Sequence, residues 1–132
     1  MERSLLMIKP DAVSKGAVGR IISMLEENGF RILAIKSKRF STEEAERFYE
    51  MHRGKPFFRS LVDYITGGMV VGIMVGRDDA IRLLRDLVGA TDPKEARPGT
   101  IRAVFGESIE RNAVHASDSP ENAERELSFF FR

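Results

Sequence analysis

One of the two histidines in this 132-residue chain lies in a setting that could support chemistry. His115 stands in the stretch NAVHASDSPENAERE, shortly before Ser119, Pro120 and Glu121, which predict a helix start by supplying an N-cap, a first-turn proline and a first-turn acid. A neutral imidazole is a competent nucleophile toward phosphorus near neutral pH, since its reference pKa is about 6.5. Free N–H groups at the helix start would attract anionic oxygens. A packed loop histidine with satisfied hydrogen bonds fits the same pattern, so these residues leave both interpretations open.

Other side chains could complete a phosphate site around His115. Glu126 lies about two turns along the predicted helix, where its carboxylate could fix the imidazole tautomer, although an exposed helix acid is the simpler interpretation. Arginine binds phosphate in a bidentate manner and lysine acts as a point charge. Any one basic residue is more often a solvated surface charge, so the hypothesis depends on joint placement with His115. The phosphate candidates on loops and helix ends are Lys9, Arg85, Thr91, Arg97, Thr100 and Arg102.

Several familiar sites are excluded by the sequence. No phosphate-binding loop of the Gly-x-x-x-x-Gly-Lys-Ser/Thr type occurs, and no dinucleotide fingerprint follows a predicted strand. A serine nucleophile elbow is also absent. Because the chain has no cysteine and two histidines, a zinc site is not expected.

Length and composition predict a single domain spanning residues 1–132. The net charge of +1, from 21 basic and 20 acidic residues, gives no overall attraction to a polyanion. The segment MERSLLMIKPDA has too short an apolar run for a secretory signal, and the run at residues 69–75 is far below the roughly 20 residues that a membrane helix needs. We therefore expect a cytoplasmic protein without a membrane partner.

Hydrophobic periodicity predicts alternating strands and helices, which is typical of an α/β arrangement with one shared core. Ser41 and Glu44 form a predicted capping box. Pro10 is expected in a turn, residues 90–111 in a long loop, and two further strands are uncertain, one around His115 and one at residues 129–131. The other predicted segments are strands at residues 4–9, 30–40 (with one wet face) and 69–75, and helices at 18–28, 42–51, 57–65, 79–88 and 119–127.

Five motifs in register carry a family resemblance: KPDAV at residues 9–13, KPFF at 55–58, GATDP at 89–93, RPGTIR at 97–102 and NAVHASDS at 112–119. In these motifs, and over nearly the whole chain, the sequence resembles nucleoside diphosphate kinase. Many members have glycine where this chain has Ala116, a change of one methyl group. The resemblance implies a ferredoxin-like βαββαβ sandwich, in which a four-stranded antiparallel sheet is covered by helices and both uncertain strands belong to the sheet.

The resemblance also implies an activity. Members of this family transfer the γ-phosphate of a nucleoside triphosphate to a nucleoside diphosphate in ping-pong order, through a phosphohistidine and with low base specificity. Mg²⁺ is held by the substrate phosphates, with no direct protein ligand. A homo-oligomer is implied, a dimer assembled into a tetramer or a hexamer.

Site roles follow from the resemblance, residue by residue. His115 matches the phosphorylated histidine. The other matches are Ser117 and Glu126, which hold the imidazole; Tyr49, which lines the site; Lys9 and Asn112, which contact the ribose; Arg85, Thr91 and Arg102, which bind phosphate; His52, near the α-phosphate; and Phe57 and Ile109, which sandwich the base.

Two rival hypotheses remain at the level of sequence. A ferredoxin-like nucleic-acid module would suit the basic residues Arg31, Lys36, Lys38 and Arg39, but no aromatic signature of RNA-binding strands accompanies them and the net charge is near zero. Nucleic acid is therefore not expected as the main partner. A catalytically silent family member is the second rival, against which the intact histidine and phosphate set argues.

Overall fold

Four strands form one antiparallel sheet in the computed structural model, which describes residues 1–131. The order across the sheet is β2-β3-β1-β4, and every neighbouring pair is antiparallel. This order, with helices between the strands, is the ferredoxin-like βαββαβ topology, so the predicted fold is confirmed. The strands are β1 (Glu2–Ile8), β2 (Arg31–Lys38), β3 (Val70–Arg77) and β4 (Val114–Ala116).

Helices cover both faces of the sheet. The part of the chain that the structure describes contains no helix long and apolar enough to cross a membrane. A short 3-10 helix (Glu50–His52) follows the third α-helix. The α-helices are α1 (Pro10–Ser14), α2 (Val18–Glu27), α3 (Thr42–Phe48), α4 (Phe58–Ile65), α5 (Ala80–Val88), α6 (Ile101–Phe105) and α7 (Pro120–Leu127).

The apolar run of β1 is buried on both sides, because successive side chains of a strand point to opposite faces. Leu6 and Ile8 join one core cluster, to which α2 and α5 contribute. Leu5 and Met7 join a second cluster with residues of α3, α4 and α7. The central strand therefore needs no polar face, which explains the continuous stretch SLLMI.

Two helix starts follow the predicted capping chemistry. Ser41 accepts a hydrogen bond from the backbone of Glu44, whose side chain in turn accepts one from the Ser41 backbone, so the predicted capping box is confirmed. Ser119 accepts from the Asn122 backbone N–H, and Pro120 is the first residue of α7. These caps satisfy N–H groups that a helix start otherwise leaves unpaired.

Other boundaries differ from the prediction. Pro10 begins the helix α1 instead of a turn, since proline is tolerated at the first helical position. The predicted long loop at residues 90–111 contains α6, which Thr100 caps by accepting from the Ala103 N–H. The helix predicted to reach residue 51 ends at Phe48 and continues as the 3-10 helix.

The predicted strand at residues 129–131 is wrong. The N–H groups of Phe129 and Phe130 bond to the carbonyls of Glu126 and Leu127, which continues α7 as helical turns. The Phe130 ring lies on Gly72 of β3, where an added Cβ would come within 2.4 Å of it. The apolar residues thus cover the sheet with side chains and do not extend it.

Candidate active site

The imidazole of His115 is held by a buried carboxylate. His115 lies in β4 opposite Met7, and its neighbours Val114 and Ala116 pack in the first core cluster. Strand alternation therefore directs His115 to the opposite face. Its Nε2 lies 2.8 Å from Oε1 of Glu126, which is 2% exposed, and the Ser117 hydroxyl donates to the same oxygen at 2.6 Å.

The protonation of this pair follows from the pKa of Glu126. Burial alone would raise that pKa, but hydrogen bonds from His115 and Ser117, together with the positive charge that His115 carries when protonated, lower it below its ordinary value. Glu126 is therefore a carboxylate, and Nε2 donates its hydrogen to it. The second ring nitrogen, Nδ1, is left with its lone pair, and it makes no hydrogen bond with any group of residues 1–131.

Helix α7 is anchored so that Glu126 meets the histidine. Its buried residues Ala123 and Leu127 face the core. Arg125 donates to the carbonyls of Arg47 and Phe48 at 3.0 and 2.8 Å, which ties α7 to the end of α3. The ring of Phe48 in turn packs edge-on against the His115 ring, with centroids 5.3 Å apart. The imidazole is thus confined by a hydrogen bond and by packing.

Lys9 and Asn112 are in direct contact. Lys9 directly follows β1 and is 6% exposed, and its Nζ donates to Asn112 Oδ1 at 2.9 Å. The Asn112 amide donates to the Thr91 carbonyl at 3.0 Å. Burial, followed by the nearby charge of Arg102, lowers the pKa of Lys9 to about 8, while the charges of Asp11 and Glu110 act in the opposite direction.

Two arginines stand near this pair. Arg102 donates to the carbonyls of Gly89 and Val114 at 3.1 and 2.9 Å. Burial, followed by the charge of Arg85, lowers the pKa of Arg102 to about 10. Arg85 is exposed near the C-terminal end of α5. Two guanidinium groups that repel each other in this way favour an anion between them.

The remaining aromatic candidates line one side of the site. Burial, and secondarily the charge of Glu126, raises the pKa of Tyr49, so its phenol stays neutral. The His52 ring lies 5.3 Å from the Phe57 ring and 6.2 Å from the Tyr49 ring. Burial lowers the pKa of His52, and the charges of Lys55 and His115 lower it further. Phe57 is 45% exposed and Ile109 60% exposed, so both predicted base contacts present apolar surface to solvent.

Comparison with known proteins gives the family. A family model described as nucleoside diphosphate kinase matches residues 2–132. The chain belongs to the nucleoside diphosphate kinase family. It is 56% identical over 131 residues to a nucleoside diphosphate kinase of a Nitratiruptor species, covering 99% of this chain and 96% of the relative. It is 55% identical to that of Archaeoglobus fulgidus over 99% of this chain and 87% of the relative.

Solved nucleoside diphosphate kinases have a similar structure. A crystal form of the Aquifex aeolicus enzyme superposes with a TM-score of 0.97 at 46% identity, covering 99% of this chain and 95% of that chain. The apo enzyme of Encephalitozoon cuniculi gives a TM-score of 0.96 at 38% identity, over 99% and 89%. The predictions of the family and of a nucleoside diphosphate kinase enzyme are confirmed.

Sequence reasoning missed some of the residues around His115. Asp118 follows shortly after His115 in the motif HASDS; a hydrogen bond from Asn122 lowers its pKa, and the charges of Arg85 and His115 act on it. The closeness of this acid to His115 in the sequence was the signal that could have identified Asp118.

Of the phosphate candidates, Thr100 serves as the cap of α6. No sequence signal pointed to Arg125, because its partners are backbone carbonyls distant in the chain.

The buried amine of Lys9 predicts a pH-dependent contribution to stability. Below pH 8 the amine is charged in the folded and the unfolded chain, so the burial cost is fully present. As the pH rises from about 8 to 10.5 the folded chain loses the proton first, and the free energy of unfolding of the wild type rises relative to Lys9→Met by up to about 3 kcal/mol. Urea denaturation of both proteins at about pH 7.5 and pH 10 measures the change. The exposed Lys94→Met is the matched control, for which a constant difference from wild type is expected; the same constancy in Lys9→Met would contradict the prediction.

Proposed function

We propose that this kinase transfers the γ-phosphate of a nucleoside triphosphate to a nucleoside diphosphate in ping-pong order, with Nδ1 of His115 as the nucleophile. The observation that carries the proposal is the pair of hydrogen bonds at Glu126 Oε1, from His115 Nε2 at 2.8 Å and from Ser117 Oγ at 2.6 Å. They keep the hydrogen on Nε2 and the lone pair on Nδ1. Covalent catalysis needs a nucleophile, a group that orients it and a third group that orients the second. Here these groups are His115, Glu126 and Ser117.

Each half-reaction exchanges one bond for another. In the first, the lone pair of His115 Nδ1 forms a bond to the γ-phosphorus, the bond from that phosphorus to the β–γ bridging oxygen breaks, and the nucleoside diphosphate leaves with the electron pair. The ring gains positive charge, which the Glu126 carboxylate stabilises through Nε2–H. In the second half-reaction a terminal oxygen of another nucleoside diphosphate attacks phosphorus, and the electrons of the N–P bond return to Nδ1.

Charge stabilisation is assigned to three cations. Phosphoryl transfer requires positioning and neutralisation of oxygen charge more than covalent help from the protein. After burial, the charge of Arg85 lowers the pKa of Arg102 and the charge of Arg102 lowers the pKa of Lys9, so a polyphosphate would relieve unfavourable charge. We assign phosphate binding to Arg85 and Arg102, with Thr91 as an uncharged phosphate ligand, while Lys9 contributes its positive charge from the ribose side.

Magnesium fits this site as a substrate-bound ion. Mg²⁺ keeps several waters and binds substrate phosphates readily, and the negative charge of Asp118, whose pKa a hydrogen bond from Asn122 lowers, would attract the phosphate-held cation to this part of the site. No group of three or more metal-binding side chains occurs within residues 1–131, and a phosphate-held ion does not need one. When bound, the ion supplies neutralisation of charge on the phosphate oxygens.

Nucleoside binding is assigned to the other end of the site. Lys9 and Asn112, 2.9 Å apart, offer an ammonium and an amide to the ribose hydroxyls. Phe57 and Ile109 offer exposed apolar surfaces to the faces of a base. Stacking and dispersion act on any base without reading its edges, so low base specificity follows. Tyr49 and His52, both neutral at physiological pH, line the site between the imidazole and Phe57.

We also propose that the chain is a cytoplasmic homo-oligomer built from a dimer. Strand β2 is an edge of the sheet, with β3 as its strand partner within residues 1–131. Its residues Leu33 and Ile35 are 40% and 50% exposed. An exposed apolar edge strand is a template for pairing, and a second copy joined along β2 would cover it.

A phosphoenzyme assay tests the nucleophile. Brief incubation with γ-labelled ATP and Mg²⁺ is expected to give a protein-bound label that is acid-labile and base-stable, as a phosphoramidate is. His115→Ala should abolish the label, because the attacking nitrogen is lost, whereas His52→Ala should retain it. Gel autoradiography after acid and base treatment measures both. An unchanged label in His115→Ala would refute the mechanism.

Removal of the Phe57 ring tests the base site. Phe57→Ala should raise KM about tenfold for adenine, guanine, cytosine and uracil nucleotides alike, because about 1–3 kcal/mol of stacking is lost with every base. Steady-state kinetics with the four nucleoside diphosphates measure it. Val104→Ala, at an exposed apolar position of α6, is the control and should leave KM unchanged. A rise confined to one base would contradict the sandwich.

Oligomeric state tests the β2 interface. Size-exclusion chromatography with light scattering should give the wild type a mass of a dimer, tetramer or hexamer. Ile35→Lys should shift it to smaller species, since a charge would be buried between the paired strands. Met51→Lys, at a comparably exposed apolar residue outside β2, should keep the wild-type mass. A monomeric wild type would rule out the proposal.

A further inference from the structure

A hydrogen bond joins the two elements that carry the base-site residues. Phe57 is the N-cap of α4, and Ser60 lies one turn further along that helix. Ile109 and Glu110 are neighbours in the loop at residues 106–113. The Ser60 hydroxyl donates to Glu110 Oε1 at 2.6 Å. Two segments far apart in sequence are thereby connected beside the two apolar surfaces.

We infer that Ser60 and Glu110 form a latch that holds Phe57 and Ile109 at the separation a base requires. The inference rests on the proposed nucleoside site. Both are positioning residues: they act on binding through the two side chains that contact the base. A preformed slot would bind any base with less ordering cost than two independently moving surfaces.

The surroundings explain why the slot needs such a bond. Phe57 and Ile109 are largely exposed, so core packing does little to fix them. The loop closes mainly on itself, with the N–H groups of Glu107 and Ser108 bonded to the Arg111 carbonyl. A salt bridge from Glu107 to Lys15 ties the loop to the segment after α1.

A second contact also connects the loop with α4, at a point further from Phe57 than the latch. The Arg111 guanidinium lies 5.4 Å from the centre of the Tyr64 ring, one turn beyond Ser60. The Arg111 contact holds the far part of the helix. The latch therefore controls the end of α4 at which the base would enter.

The charge of Glu110 gives a second reason for a specific role. Burial lowers the pKa of Lys9, and the negative charge of Glu110 opposes that shift, so the carboxylate lies within electrostatic range of the ribose end of the site. A carboxylate near a polyanionic substrate is unfavourable on Coulomb grounds. The hydrogen bond to Ser60 offsets that disadvantage, since bonds to charged acceptors are stronger than neutral ones.

Calorimetric titration of the full chain with ADP, GDP, CDP and UDP tests the latch. Ser60→Ala and Glu110→Ala should each raise Kd by about two- to tenfold for all four nucleotides, as loss of one charged hydrogen bond implies. Glu110→Gln keeps the acceptor without the charge and should stay within about twofold of the wild type. Glu46→Ala, which removes the surface ion pair between Glu46 and Arg59 of α4, is the matched control and should bind normally.

Inorganic tripolyphosphate, which lacks a base, separates the latch from an effect on phosphate binding. Its Kd should be no higher in Ser60→Ala than in the wild type. Unchanged nucleotide affinity in Ser60→Ala, a change confined to one base, or equal weakening of tripolyphosphate would each overturn the latch. A wild type that binds none of the four nucleotides would instead overturn the proposed nucleoside site, so the two failures are distinguishable.

Discussion

Burial of the Glu126 carboxylate is the constraint on which the arrangement around His115 depends. A buried ionised acid is tolerated only when its oxygens are paired, and removing one partner of such a pair costs about 3–5 kcal/mol. His115 and Ser117 meet that need at one oxygen, and both come from the short segment that includes β4. The same hydrogen bonds that make burial of the acid possible therefore fix the imidazole tautomer. The contacts that stabilise the buried Glu126 carboxylate are thus the same ones that orient the His115 imidazole.

The supporting structure keeps that acid in place. Ser119 and Pro120 determine where α7 begins, which sets the position of Glu126 along the helix. Arg125 ties the same helix to the carbonyls at the end of α3, and Phe48 packs on the histidine ring. Through these contacts, the Ser119 cap and Arg125 fix the position of Glu126, which lies on the same side of the sheet as the second core cluster. The sheet contributes the register that sets His115 opposite Met7.

The positive charges near His115 repel one another. Lys9 is buried and Arg102 is half-buried, and the pKa of each is lowered by burial and by a neighbouring cation. Backbone carbonyls of Gly89 and Val114 hold Arg102 in position without neutralising it. Donors fixed in this way need little reorganisation when a polyanion binds, which is the electrostatic preorganisation that phosphoryl transfer uses. The hydrogen bonds from Lys9 to Asn112 and from Asn112 to the Thr91 carbonyl connect Lys9 to the loop after α5.

Local patterns determined much of this protein. Alternation and periodicity placed β1 to β3 and most helices, and the capping residues Ser41 and Ser119 were correct, because caps depend on near neighbours in the chain. The family motifs identified the fourth strand around His115. The same resemblance wrongly placed residues 129–131 in the sheet, and the local pattern could not correct it, since an apolar triplet suits a strand and a helical turn equally. The backbone hydrogen bonds from Phe129 and Phe130 to the carbonyls of Glu126 and Leu127 show the helical turns, and the Phe130 ring then packs on Gly72.

The site residues were recognisable as types, whereas their contacts required the tertiary structure. The motifs named His115 and Lys9, and the predicted helix and the resemblance named Glu126, but not which nitrogen is paired, which acid is buried or which cation has a lowered pKa. Arg125 and the bond from Ser60 to Glu110 gave no sequence signal, because each joins residues that only the folded chain brings together. The sequence by itself determined the elements and the chemical inventory. The tertiary structure decided burial and pairing, the physical quantities that convert an ordinary acid and an ordinary imidazole into an oriented pair.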